Sequence, residues 1–164
     1  LRLLQAFDQF KESSGSNMKL LLAGRMAWQS GETGDVVNNL KHRKDVIFLG
    51  YTSEEELPKI VASAFALTYV SLFEGFGIPI LEAMYCNVPS ISSNSSSMPE
   101  VTGDAGLLCD PYSVDSIAEQ LLKITTTAGL RADLIEKGKI QREQFSWDLT
   151  AEKMWKGLAM TIDK

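Results

Sequence analysis

Five short apolar runs, at residues 18–23, 46–49, 65–70, 88–92 and 106–109, are separated by stretches whose apolar residues recur at helical spacing. Strand-length apolar runs alternating with helices predict parallel βαβ units, because parallel neighbours need a crossover connection. The expected fold class is therefore α/β, a Rossmann-like parallel sheet flanked by helices. Runs this uniformly apolar predict strands covered on both faces. Ligands of such sheets bind at the carboxyl ends of the strands. Gly24-Arg25, Gly50-Tyr51, Glu74 to Gly77 and Asn94 to Ser96 each follow a run, so they should line one edge.

The helical stretches fall near 1–11, 36–40, 53–63, 78–86, 98–102, 113–124, 130–145 and 149–162. Ser53 with Glu56 forms a capping box, Ser113 caps the sixth helix, and Ser97 with Glu100 repeats the Ser-x-x-Glu pattern. No internal repeat or low-complexity linker interrupts the order. A chain of 164 residues reads as one domain, 1–164, with a substantial core. It opens on Leu1, directly into a helical pattern, and is expected to be a fragment of a longer polypeptide.

Charge narrows the partners. Sixteen Lys and Arg against 21 Asp and Glu leave a net charge of -5, which disfavours nucleic acid and anionic membrane surfaces. No apolar run approaches the roughly 20 residues that span a bilayer. Cys86 and Cys109 are isolated in apolar settings with no Cys-x-x-Cys spacing, the pattern of reduced core residues in a cytoplasmic protein rather than a zinc site. His42, within the run Lys41-His42-Arg43-Lys44, reads as a solvated helix end. A single histidine in such a run gives no case for a catalytic triad or a metal centre. The absence of G-x-G-x-x-G after the first run and of G-K-[ST] anywhere argues against classical dinucleotide and P-loop sites.

The junction from Glu74 to Glu82, Glu-Gly-Phe-Gly-Ile-Pro-Ile-Leu-Glu, carries the most chemistry. It passes from an apolar run through two glycines into a helix, so free amides and the positive end of a helix dipole meet at one spot. That spot suits phosphate, and ionised carboxylates suit hydroxyl groups. A site for both phosphate and polyol points to a sugar nucleotide. Gly75 and Gly77 serve either a tight turn or close approach of backbone to ligand. Pro79 fits a helix start, where its missing N–H costs nothing. The amides of Phe76, Gly77 and Ile78 are the candidates for gripping ligand oxygens. Glu82 is expected in the first full turn of the helix, either favoured there by the dipole or, among Ile80, Leu81, Ala83 and Met84, needing ligand hydroxyls as partners. Arg25 balances a diphosphate or is a solvated surface arginine. Asn94, Ser95 and Ser96 offer hydroxyls and amides at the same edge.

The segment Ser71 to Met84 (SLFEGFGIPILEAM) resembles the signature of glycosyltransferase family 4, the group 1 transferases of the GT-B fold. Its continuation, Asn87-Val88-Pro89-Ser90 and Met98 to Gly106, resembles it too, as do the earlier pieces Leu22 to Arg25, Val46 to Tyr51 and Glu56-Leu57. The resemblance covers nearly the whole chain in the family's order. It implies the donor-binding, C-terminal half of a retaining glycosyltransferase that takes a nucleoside diphosphate sugar and needs no cofactor or metal. By resemblance, Glu74 contacts the donor sugar's hydroxyls, while Gly75, Phe76, Gly77 and Ile78 hold sugar and diphosphate. Glu82 bonds the ribose; Gly50, Tyr51 and Leu57 lie around the base; Gly24 and Arg25 lie beside the diphosphate. An acceptor sugar or glycolipid would bind through an N-terminal domain not present in this sequence. The family's usual Arg and Lys pair would lie upstream of Leu1. The alternative is a non-catalytic module that binds sugar nucleotides. A hydride-transferring Rossmann enzyme is a more distant rival.

Overall fold

The computed structural model of the chain describes residues 1–24 and 32–162. Helix α1 (Arg2–Ser14) leads into strand β1 (Leu20–Ala23), followed by α2 (Glu32–Asn39), β2 (Val46–Gly50), α3 (Leu57–Ser63) and β3 (Leu67–Tyr69). Then come α4 (Ile78–Tyr85), β4 (Ser90–Ser93), α5 (Met98–Thr102), β5 (Gly106–Cys109), α6 (Val114–Thr126), α7 (Leu130–Gln141) and α8 (Trp147–Ile162). The five expected strands are present and every pairing is parallel. Helix α7 is shorter than its periodicity predicts, because the chain tightens into a 3-10 turn at Arg142–Gln144.

The strands form two ribbons rather than one continuous ladder. One holds β1 and β2, with Leu20 opposite Val46; the other holds β3, β4 and β5, with Ser90 between Leu67 and Gly106. Side chains join them. Leu20 and Val46 from the first ribbon share a buried cluster with Ile91, Leu107 and Cys109 from the second. Phe7 and Phe10 of α1 and Ile117 of α6 complete this layer. Each buried phenylalanine contributes about 1.5–3 kcal/mol of transfer free energy. A second cluster, Ile80, Met84, Met98, Val101 and Ala105, packs α4 on α5.

The expectation of strands covered on both faces is corrected for β1, β2 and β5. Burial alternates along β1 and β5, and in β2 it is complete only at Val46, leaving Leu21 47%, Ile47 37% and Leu108 38% exposed. Only β4 is buried at every position, although its sequence is Ser-Ile-Ser-Ser. Two of its three hydroxyls are paired: Ser92 Oγ lies 2.7 Å from Thr102 Oγ1, and Ser93 Oγ donates to the carbonyl of Ser71 at 2.5 Å, while Ser90 Oγ is buried without a hydrogen-bond partner.

Ser53 and Glu56 pair as the sequence predicts: Ser53 Oγ accepts from the Glu56 amide at 3.2 Å while Glu56 Oε2 accepts from the Ser53 amide at 3.3 Å. The pair closes a turn ahead of α3, which starts at Leu57 with Glu56 at its N-cap instead of Ser53. Ser113 Oγ accepts from the Ser116 amide at 3.1 Å at the head of α6. His42 is corrected: it is half-buried, with Nδ1 2.9 Å from Asp8 Oδ1. Asp8 also accepts from the backbone amides of Lys41 and His42, so the backbone of the basic run is stitched to α1 while Lys41 and Lys44 stay exposed.

Candidate functional site

The carboxyl ends of β1 and β2 meet at two glycines. The Gly24 amide donates to the Gly50 carbonyl at 2.8 Å, and both residues have positive φ (133° and 71°), letting the chain leave the ribbon sharply. Beside them lies a hollow of about 470 Å³ lined by Leu49, Tyr51, Thr52, Glu56, Lys59 and Ile60. Tyr51 is 79% exposed on its rim. Leu57, the first residue of α3, is half-buried and does not line the hollow. Arg25 lies outside the described residues. A larger hollow of about 580 Å³, between α1 and α2, shares no residue with the predicted site.

The second part of the site is the loop from β3 to α4. Helix α4 begins at Ile78 with Pro79 in its first turn, after Gly77 at φ 103°. Among the described residues, no acceptor is paired with the amides of Gly75, Phe76, Gly77 or Ile78. Pro79 adds no donor and cannot compete for those positions. Four consecutive free N–H groups at the head of an apolar helix are donors suited to oxygen-rich anions. Gly75 has open space on its Cβ side, with nothing within 4 Å, whereas a Cβ on Gly77 would sit 3.3 Å from Ile80 Cδ1. Phe76 is half-exposed, and its ring meets Phe145 edge-on at 5.7 Å between centroids.

Glu74 sits at this loop with a defined orientation. Ser71 Oγ donates to Glu74 Oε1 at 2.7 Å. The hydrogen bonds from Ser71 and then from the Tyr69 hydroxyl hold the Glu74 carboxyl below the usual carboxylate range. The same hydroxyl is pushed up, first by burial and then by Glu74, with the charge of Glu82 adding to the effect. Tyr69, the last residue of β3, is therefore the side chain on which both acids act. Neither Tyr69 nor Ser71 was singled out by the sequence reading, although Ser71-x-x-Glu74 repeats the spacing that marks a hydroxyl–carboxylate pair.

Three readings of this region are corrected. Glu82 is the fifth residue of α4, so the first turn holds no acid. Its side chain is exposed, since Ile80, Ala83 and Met84 take the buried face, and no burial penalty demands a partner. Ser97 does not cap α5 with its hydroxyl, which donates instead to the carbonyls of Phe76 (2.8 Å) and Glu74 (3.1 Å). Ser95 and Ser96 likewise spend their hydroxyls on the loop: Ser95 on the Leu72 carbonyl at 3.1 Å and Ser96 on that of Glu74 at 2.5 Å. The segment expected to offer hydroxyls to a ligand braces the neighbouring loop.

Among the described residues, no three His, Cys, Asp or Glu side chains gather in a way that could hold a metal ion, and no helix is long and apolar enough to cross a membrane.

The sequence model described as "Glycosyl transferases group 1" matches residues 1–141. The chain is 38% identical over 146 residues to O-antigen chain mannosyltransferase B of Escherichia coli, covering 89% of this chain and 38% of that protein. It is 32% identical over 120 residues to the serotype-specific mannosyltransferase WbdA of Escherichia coli, covering 73% of this chain and 15% of the relative. Among solved structures, Anabaena HepE in complex with UDP-glucose superposes with a TM-score of 0.81 at 20% identity, over 97% of this chain and 44% of that one. The chain thus spans less than half the length of each of these proteins, and its fold is that of the matching part of the HepE structure. On the family match, the chain belongs to the group 1 glycosyl transferases.

Proposed function

We propose that this chain is the donor-binding domain of a glycosyltransferase that moves a sugar from a nucleoside diphosphate sugar to an acceptor hydroxyl with retention of anomeric configuration. The observation that carries the reading is the row of unpaired amides from Gly75 to Ile78 beside the ionised Glu74. The amides and the α4 dipole receive the diphosphate and stabilise it as it leaves. Glu74, an acceptor-only carboxylate fixed by Ser71 and Tyr69, orients the sugar through its hydroxyls. In this reading it positions the donor and forms no covalent bond. Glu82, one turn further along α4, takes the ribose hydroxyls. Gly50, Tyr51 and Leu57 belong to the base end, with Gly24 and Arg25 beside the diphosphate. No cofactor enters the scheme. The acceptor, a sugar or glycolipid, is bound by a second domain of the complete protein, working at the cytoplasmic side of a membrane. The mannosyltransferases among its relatives favour mannose as the transferred sugar and a cell-surface polysaccharide as the product.

The test uses the complete protein with UDP-glucose, GDP-mannose and ADP-glucose as probes. Binding of one of them by calorimetry, with transfer lost in Glu74→Gln and Glu82→Gln at unchanged melting temperature, supports the reading. Binding retained without transfer by the unsubstituted protein would favour a non-catalytic sugar-nucleotide module. No heat with any probe would overturn both.

A further inference from the structure

Four serine hydroxyls of the β4–α5 segment hold four carbonyls of the β3–α4 loop. Ser93 takes Ser71, Ser95 takes Leu72, Ser96 takes Glu74, and Ser97 takes Phe76 and Glu74. All peptides in the described chain are trans. In a planar trans peptide the C=O and the next residue's N–H point in opposite directions. Fixing the Glu74 and Phe76 carbonyls on the serine side therefore turns the amides of Gly75 and Gly77 to the opposite side. Those are two of the four amides left unpaired. The serine row determines which way the loop presents its donors.

Ser96 is the key member. Its φ is 56°, a left-handed conformation that is unfavourable for a residue with a Cβ. Its hydroxyl donates to the Glu74 carbonyl and accepts from the Glu74 amide at 3.4 Å, so it clasps both sides of one residue. Strained backbone of this kind persists where the surroundings over-determine it, and such sites cluster at ligand clamps. We propose that Ser96, seconded by Ser97, is a positioning residue that sets the Gly75 and Gly77 amides and the Glu74 backbone for the diphosphate sugar. The inference rests on the donor-binding reading above and adds to it the device that aims the loop.

Ser96→Gly separates positioning from simple support. Glycine relieves the left-handed strain while deleting the clasp, so the two effects on stability oppose each other and the melting temperature moves little. Binding of whichever of UDP-glucose, GDP-mannose and ADP-glucose the complete protein takes should weaken about tenfold, the equivalent of about 1.4 kcal/mol. In turnover the donor KM should rise more than kcat falls. An unchanged Kd at unchanged melting temperature overturns the proposal. Should Ser96→Gly fail to fold, the Ser97 pair decides: Ser97→Ala weakening the probe and Ser97→Thr restoring it supports the role, and Ser97→Ala binding as the unsubstituted protein does overturns it. Binding that survives Ser96→Gly but is abolished by Glu74→Gln sinks only the serine device. Failure of the unsubstituted protein to bind any probe sinks the donor-binding reading beneath it.

Discussion

Ser71 and Glu74, three residues apart across the turn out of β3, are joined by a 2.7 Å hydrogen bond from hydroxyl to carboxylate. That bond, with a second from Tyr69, holds Glu74 below the ordinary value of 4.5. A carboxylate with a depressed folded pKa contributes stability that is fully present above its ordinary value and is lost as the pH falls through the lowered folded value. Removing the donor reverses the shift. Ser71→Ala should raise the Glu74 pKa towards 4.5, observed by carbon-detected NMR titration of its side-chain carboxyl. The acid limb of probe binding should move to higher pH in step. Tyr69→Phe should act in the same direction and less strongly, because Ser71 is the larger cause. A Glu74 titration unmoved by Ser71→Ala would show that the bond does not control its charge.

The two glycines of the loop should respond differently to the same substitution. Gly77 has φ 103°, and an added Cβ would press on Ile80 Cδ1 at 3.3 Å. Gly77→Ala should cost about 1–2 kcal/mol from the backbone conformation alone. Gly75 has no such need, and a Cβ there meets nothing within 4 Å. Gly75→Ala should leave stability within about 0.5 kcal/mol yet weaken binding of the diphosphate-sugar probe by crowding the amides. Thermal melts and calorimetry on the two variants separate the effects; a Gly75→Ala protein with unaltered affinity places the ligand elsewhere.

The sequence was most legible where one local rule governs. Five apolar runs became five parallel strands, and the hydroxyl–carboxylate pair Ser53/Glu56 formed its reciprocal bonds because both partners lie within one turn. The same rule applied to Ser97 and Glu100 misled, since a carbonyl-rich loop at Glu74 and Phe76 competed for the hydroxyl more than twenty residues away. Long-range competition of that kind leaves no periodicity. Nor does the covering of a strand: Leu21 and Leu108 look as apolar as Ile91, and only the packing of helices decides which is exposed. Within the site, the glycines and acids were readable as residue types, whereas the role of Tyr69 required the fold to bring its hydroxyl to Glu74, with the charge of Glu82 acting from further off. The position of Glu82 turned on where α4 starts, a boundary that periodicity does not resolve.

Capping gives a contrast between two serines. Ser113 has extended backbone and accepts from the Ser116 amide, so Ser113→Ala should destabilise by about 0.5–2 kcal/mol. Helix α6 carries none of the candidate site's residues, so affinity for the probe should stay as it was. A matching loss of affinity at a temperature where the variant is fully folded would connect α6 to the site in a way the packing does not suggest.

Lys11 tests a part of the fold that no sequence rule revealed. It lies in the last turn of α1, where a lysine is ordinarily solvated, yet its side chain is only 5% exposed. The ammonium donates to the carbonyls of Ser16 and Met18 and pairs with Asp45 Oδ2 at 2.8 Å, fastening the α1–β1 turn to the segment before β2. Lys11→Met keeps the stem's apolar packing but strands those acceptors, at a cost of about 1–3 kcal/mol. The loss should appear as a lower denaturant midpoint at unchanged slope. Asp45 adds a pH signature. The hydrogen bond from Lys11 first, and Lys19 after it, hold its carboxyl below 3.8. The stability tied to that pair is present above 3.8 and disappears as the pH falls through the lowered folded value. The Lys11→Met protein has little of it left to lose. Its stability should therefore fall less steeply than that of the unsubstituted protein on acidification below 3.8, and parallel acid profiles for the two would show that the pair contributes nothing to the fold.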